Sequence, residues 1–209
     1  MITIVTIDIH DDRHYNCQGP ESRICDMRVS KEQAAKNRER ILEAASRLMR
    51  ERGISGMGVD ALADAAGMTH GSLYSQFGSK ERLVEEAVAH AIIAKGREVP
   101  DGFTLGDYFS EYLSAGHRDK LGSGCPFAAL SCEMPRQSAG VRERFTAGVR
   151  DMIGLLSGRI ASTLKPRQRE EKALAIAAAL VGALVLARAV NDPKLSDDIL
   201  RATRNRLGD

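Results

Sequence analysis

Three glycines, Gly53, Gly67 and Gly78, cut an amphipathic stretch into short pieces, and this punctuation constrains the fold more than any other feature of the 209-residue sequence. Before Gly53, apolar side chains at Ile41, Leu42, Ala45, Leu48 and Met49 recur at i, i+3, i+4 and i+7, the pattern of a helix that buries one stripe. Glycine ends such a helix because it takes left-handed backbone angles at a C-terminal cap without strain. After the connector ISGMG, the segment VDALADAA fits a second, shorter helix with Val59, Leu62, Ala63 and Ala66 inward, stopped by Gly67. Thr69 is placed to cap a third, whose Leu73 and Phe77 lie one turn apart and face the first two. Three short helices then share one core.

Composition agrees with an all-α fold. Aromatic residues are 4% of the chain, Trp is absent, and strand-like runs are scarce outside the first ten residues. The net charge of +2 is too small to identify a nucleic-acid partner, so its distribution carries the information. Residues 28–52 hold eight Lys or Arg against four Glu, whereas residues 1–27 hold five acids against two Arg. The first 26 residues have no helical period and are expected to be a mis-called start or a disordered tail, the alternative being an added strand on ITIVTIDI. Four Cys without a signal peptide make no disulfide framework and point to reduced thiols in a cytoplasmic protein. The apolar run Ala173–Ala187 is shorter than a membrane span and reads as a buried bundle helix.

Beyond Gly78, Ser79 is an N-cap for a helix over SKERLVEEAVAHAIIAKG, which should connect two domains. Further helices are expected over TLGDYFSEYLSAGHRD, over FAALSCEM between Pro126 and Pro135, and over AGVRERFTAGVRDMIGLLSGRIAS up to Pro166. The last two are placed at about Arg167–Val190 and Leu195–Leu207.

A helix, a turn holding Gly67 and a second helix rich in small polar groups have the arithmetic of a helix-turn-helix. Thr69, His70, Gly71, Ser72, Ser75 and Gln76 face outward, where short polar side chains reach base edges in a major groove. The basic first helix, with Lys36 and Arg40, and Lys80 bracket this face as phosphate contacts should. From Lys31 to Ala87, ILEAASRLMRERG and VDALADAAGMTHGSLYSQFGSKERL resemble the DNA-binding domain of the tetracycline-repressor family. The resemblance implies an all-helical dimer on a palindromic double-stranded operator, with repression usually relieved when the C-terminal domain binds an effector. It makes Thr69–Gln76 the recognition helix, Tyr74 and Lys80 backbone contacts, and the helix at Val59 a further one. One departure is Gly58, where many members carry a capping Ser or Thr, which puts that phosphate contact in doubt. Activation and repression are not separable from the residues.

The expected organisation is an N-terminal extension over residues 1–26, the helix-turn-helix domain over 27–80 and an effector-binding and dimerisation domain over 81–209. Tyr108, Phe109, Tyr112, Cys125, Phe127, Met134, Phe145, Met152 and Ile153 are candidates for an apolar effector cavity, with core packing as the alternative for each. Cys125, before Pro126 at a helix start and close in sequence to His117, Arg118 and Lys120, has the setting of a low-pKa thiol. The segment GCPFAALSCE also resembles one in family members that sense electrophiles or oxidants. Cys132 lies too far along the axis to bridge Cys125 within one chain, and two inert thiols are the alternative. Ala175, Ala179, Gly182 and Leu186, with Leu195, Ile199, Leu200 and Leu207, are expected to form a four-helix homodimer interface or, in part, intrachain core. There is no nucleophile elbow, phosphate loop or metal-ligand spacing, so neither an enzyme nor a cofactor or metal site is expected. A sequence-indifferent DNA binder would need far more positive charge.

Overall fold

A computed structural model of the protein describes residues 30–208, so the expectations for the N-terminal extension lie outside the described residues. Among the described residues the elements are all helical: α1 (Lys31–Gly56), α2 (Val59–Ala66), α3 (His70–Phe77), α4 (Lys80–Arg97), α5 (Leu105–Tyr112), α6 (Ala115–Asp119), α7 (Pro126–Leu130), a 3₁₀ turn (Met134–Arg136), α8 (Ala139–Ser157), α9 (Pro166–Ala189) and α10 (Pro193–Gly208).

The Thr69 and Ser79 caps lie where the sequence puts them, and Ser30 adds a third that was not expected. Ser30, Thr69 and Ser79 accept hydrogen bonds from the amides of Gln33, Ser72 and Arg82, three of the donors that α1, α3 and α4 would otherwise leave unpaired. Gly67 ends α2 in the left-handed region (φ 63°, ψ 41°), and its N–H returns to the carbonyls of Ala63 and Asp64. At Gly53 (φ 76°, ψ 165°) α1 breaks, and one further turn runs to Gly56.

Two apolar cores result. The first gathers Ile41, Ala45 and Met49 of α1, Leu62 of α2, Leu73 and Phe77 of α3, and Leu83 and Ala87 of α4. It is closed from outside the first four helices by Leu130, Met134 and Val141, which come from α7, the 3₁₀ turn and α8. The second joins Phe109, Leu113, Phe127, Leu156, Ile176, Leu180, Leu184 and Leu200. Ile92 of α4 and Phe145 of α8 pack against both, so these two helices carry any displacement between the cores. Each fully buried Leu or Ile contributes about 1.5–3 kcal/mol.

Four boundary expectations need correction. The helix expected through residues 104–119 breaks at Leu113 (φ −97°, ψ 36°), because the Ser114 side chain caps a new start by accepting from the His117 amide. The FAALSCEM helix ends at Leu130 and tightens into the 3₁₀ turn. Helix α8 stops at Ser157, and Pro166 is not its terminator but a first-turn residue of α9, where its missing N–H costs nothing. Finally, the apolar run 173–187 belongs to a 24-residue helix that is long and apolar enough, by length and composition, to cross a membrane. It is buried along one face, through Ala173, Ile176, Leu180, Ala183, Leu184 and Ala187.

Candidate nucleic-acid interface and internal cavity

The α2–α3 unit presents its polar face to solvent. Thr69, His70, Gly71, Tyr74, Ser75 and Lys80 are exposed, Val59, Ser72 and Gln76 half-buried, while Leu73 and Phe77 anchor α3 from beneath. Tyr74 is 51% exposed, a large aromatic side chain left in water beside Lys80 at the start of α4. Local bonds stiffen the face: the Thr69 and Ser72 hydroxyls are 3.0 Å apart, Ser75 donates to the Ser72 carbonyl at 3.0 Å, and His70 Nε2 lies 2.6 Å from the Asp60 carboxylate at the start of α2.

The basic cluster of α1 divides in three. Lys36 and Arg40 remain exposed, Lys36 in an i, i+4 pair with Glu32 at 2.7 Å and Arg40 with a guanidinium nitrogen close to Gly67 at the helix-turn-helix turn. Arg38 points inward: it stacks 4.2 Å over the Phe77 ring, donates to the Gln76 carbonyl at 2.5 Å and pairs with Glu86. It therefore fixes the last turn of α3 against α1 and α4. Arg50 points the other way and donates to the Gly124 carbonyl at 3.4 Å, outside the first four helices. Sequence counting treats all these cations alike, and only the three-dimensional partners separate them.

A cavity of about 430 Å³ lies between α4, α5, α7 and α8. Five of the nine candidate effector-site residues line it, namely Tyr108, Tyr112, Cys125, Phe127 and Met152. Phe109 and Phe145 do not: Phe109 is buried in the second core, and Phe145 sits edge-on behind Phe127 with ring centres 5.3 Å apart. Met134 and Ile153 are likewise packing residues, one in each core.

At the inner wall His117 sets the geometry. Its Nδ1–H donates to the Tyr112 carbonyl at 2.7 Å and its Nε2 accepts the Cys125 N–H at 3.0 Å, so both ring nitrogens are occupied by the neutral tautomer. Burial lowers its pKa from the ordinary value. Arg188 of α9 donates to the carbonyls of His117 and Arg118 at 3.0 Å each and holds the segment from behind.

The low-pKa expectation for Cys125 is overturned. The thiol is buried, and desolvation pushes its pKa up despite hydrogen bonds that act in the opposite direction. Helix α7 has five residues, too short a dipole to offset that burial, and Arg118 is turned away towards Asp119 and Asp197. Cys125 and Cys132 are both free thiols, the second exposed.

On α9, Ala175 and Leu186 are exposed and Ala179 and Gly182 half-buried; with Leu174 and Ala178 they make an uncovered apolar face. Leu195 of α10 is 46% exposed beside Ile199, which is half-buried. Leu200 is 3% exposed within the second core and so belongs to intrachain packing, not to an interface; Leu207 also packs against that core.

Arg38, Glu133 and Arg188 escape sequence reading because their partners, the Gln76 carbonyl, the Ile54 amide and the His117 carbonyl, are distant in the chain. Among the described residues no group of three or more His, Cys, Asp or Glu is placed to hold a metal ion.

Residues 41–87, which span most of α1 through α4, match the family model of bacterial regulatory proteins, tetR family. An uncharacterised HTH-type transcriptional regulator of Mycobacterium tuberculosis is 32% identical over 187 residues, covering 81% of this chain and 93% of the relative. The HTH-type transcriptional repressor NemR of Escherichia coli is 28% identical over 57% of this chain and 65% of its own length. The crystal structure of its reduced form superposes with a TM-score of 0.68 over 82% of this chain and 95% of that one, at 23% identity, a likeness of fold. The chain is a transcriptional regulator with an N-terminal helix-turn-helix domain and a C-terminal helical domain, and it belongs to the tetR family.

Proposed function

We propose that the protein is a repressor that binds a palindromic operator as a homodimer, reads bases with α3, and lets go when a small molecule occupies the cavity beside Tyr112. The observation that carries this reading is the cavity's position: its wall includes Ile92 of α4 and Cys125, the residue after the Gly124 carbonyl held by Arg50 of α1. Occupancy therefore acts on the two helices that hold the helix-turn-helix. Residues 27–80 take the DNA-binding role and residues 81–209 the regulatory and dimerising one.

The base-reading group is Thr69, His70, Gly71, Ser72, Ser75 and Gln76, and the phosphate-facing group is Lys36, Arg40, Val59, Tyr74 and Lys80. The uncovered face of α9 around Ala175, Ala179, Gly182 and Leu186, with Ile199 of α10, supports the homodimer. Small residues there let two α9 helices approach closely, and exposed leucines gain about 1.5–3 kcal/mol each on burial. Binding to an operator places the dimer in the cytoplasm, where the DNA is.

A covalent version of the release is favoured by one observation, the place of Cys125 in the cavity wall. Its raised pKa leaves little thiolate at neutral pH, so the non-covalent version leads. A gel-shift on DNA flanking the protein's own gene, with and without a thiol-reactive electrophile and with a Cys125→Ser variant, separates the two. Release only when Cys125 is present supports the covalent version. Indifference of both proteins to the electrophile keeps the non-covalent one, and retention of DNA by every small molecule that demonstrably binds the cavity contradicts release altogether.

A further inference from the structure

The cavity's inner wall carries one polar group with no nitrogen or oxygen partner. Tyr112 is 6% exposed, and its hydroxyl is buried without a nitrogen or oxygen hydrogen-bond partner while the residue lines the cavity. An unpaired buried hydroxyl is costly, and nearly all such groups in folded proteins are satisfied by something. The neighbouring nitrogen and oxygen acceptors are spent, since both His117 nitrogens are engaged and the Tyr112 carbonyl is taken by His117, which leaves only the Cys125 sulfur, a weak acceptor, beside the hydroxyl. Tyr108, whose ring centre is 5.7 Å from that of Tyr112, and the Cys125 thiol complete the polar part of this wall. Burial raises the pKa of Tyr108, Tyr112 and Cys125, so all three present O–H or S–H rather than an anion. A wall of neutral donors asks for an acceptor.

The rest of the lining says what carries that acceptor. Ile92, Phe103, Phe127, Met152 and Leu155 make the walls apolar and partly aromatic. The charges are at the mouth, where Lys95 is already paired with Glu98 at 2.7 Å, leaving the exposed carboxylates of Glu111 and Asp151. An anionic ligand would meet repulsion, and among the described residues the one cation that lines the cavity is the paired Lys95, while Arg188 lies behind the wall with two of its nitrogens given to the His117 and Arg118 carbonyls. A cationic one would lose its hydration without a buried carboxylate to replace it. We propose that the cavity binds an uncharged, mainly apolar molecule whose carbonyl-type oxygen accepts a hydrogen bond from the Tyr112 hydroxyl. This deepens the effector reading and rests on it for its regulatory meaning, though not for the binding itself.

Four probes of one shape test it by calorimetric titration of the full chain: 2-acetonaphthone, 2-ethylnaphthalene, 2-naphthoate and 2-naphthylmethylammonium. The ketone is expected to bind about five- to tenfold more tightly than the hydrocarbon, and both ions at least tenfold more weakly than the ketone. In Tyr112→Phe, which keeps the ring, the ketone's advantage over the hydrocarbon disappears while the hydrocarbon binds as before. Tyr108→Phe, as the neighbouring control, keeps most of that advantage. An unchanged melting temperature of unliganded Tyr112→Phe, or a higher one, verifies that its fold is intact. Tightest binding by either ion, equal binding of ketone and hydrocarbon, a ketone preference that survives Tyr112→Phe, or no binding by any probe each overturns the proposal. The same ketone is then added to the protein–operator complex. If it binds as predicted and the complex persists, the ligand class stands and the effector reading falls.

Discussion

The carboxylate of Glu133 accepts hydrogen bonds from the Ile54 amide at 3.0 and 3.1 Å, directly after the break in α1 at Gly53. It also takes the Ser55 N–H at 3.2 Å, so one side chain from the segment after α7 caps the last turn of α1. Because α7 begins beside Cys125 in the cavity wall, the nine-residue stretch from Cys125 to Glu133 has the cavity at one end and the start of the helix-turn-helix at the other.

Removal of that cap should separate DNA affinity from ligand affinity. Glu133→Ala is expected to cost about 0.5–2 kcal/mol of stability and to weaken operator binding while cavity binding stays the same. Thermal unfolding and fluorescence anisotropy on labelled operator check both.

Gly53 is irreplaceable for two reasons acting together. Its φ of 76° with ψ of 165° is a region that residues with a Cβ avoid, and an added Cβ would lie 2.6 Å from Glu133 Oε1. Gly53→Ala should lower stability by about 1–3 kcal/mol, seen as a lower urea midpoint with unchanged slope.

Tyr74 should matter for DNA and not for folding. With half its surface exposed, Tyr74→Ala is expected to leave the melting temperature within the range of ordinary surface changes and to weaken operator binding about tenfold. Arg38→Ala should do the reverse first, lowering the melting temperature, since Arg38 ties Phe77, the Gln76 carbonyl and Glu86 together.

Acid should loosen the cavity wall. The His117 pKa in the folded protein is below the ordinary 6.5, so as pH falls through that value the unfolded chain takes up the proton first. Stability contributed by neutral His117 is complete above that pH and lost as pH falls towards the lowered folded pKa. Once protonated, the ring could not accept the Cys125 N–H. Urea midpoints of wild type and His117→Gln between about pH 5 and 8 should show a drop on the acid side that the variant lacks.

The α9 face distinguishes interface from core. Leu186→Glu, at a position 56% exposed, should halve the mass seen by light scattering and keep the helical circular dichroism. Leu200→Glu, at 3% exposed, should unfold the subunit instead.

The helix-turn-helix was legible because its information is local: Gly53, Gly67 and Gly78 mark the breaks, Thr69 and Ser79 the starts, and the apolar spacing the inner faces. The cavity was legible as a set of aromatic positions but not as a shape. Whether Phe109 faces a void or a neighbour depends on α9 and α10, far along the chain. Cys125 misled for the same reason, since nearness in sequence to Arg118 and Lys120 suggested a field that burial and side-chain direction remove. The helix end at Leu113 carries no proline or glycine of its own, and the C-cap of α8, Gly158, keeps helical angles (φ −65°, ψ −17°), so neither end is marked by a left-handed glycine.

The most direct test of the account is fluorescence anisotropy of the purified protein on the DNA flanking its own gene, against a scrambled duplex of equal length and over a salt series. The account predicts a complex on the flanking DNA at least a thousandfold tighter than on the scrambled one. It also predicts that Tyr74→Ala and substitutions at Gln76 reduce that ratio. Equal affinity for both duplexes, with the same steep salt dependence, would mean binding through phosphates alone and would contradict sequence-specific regulation through α3.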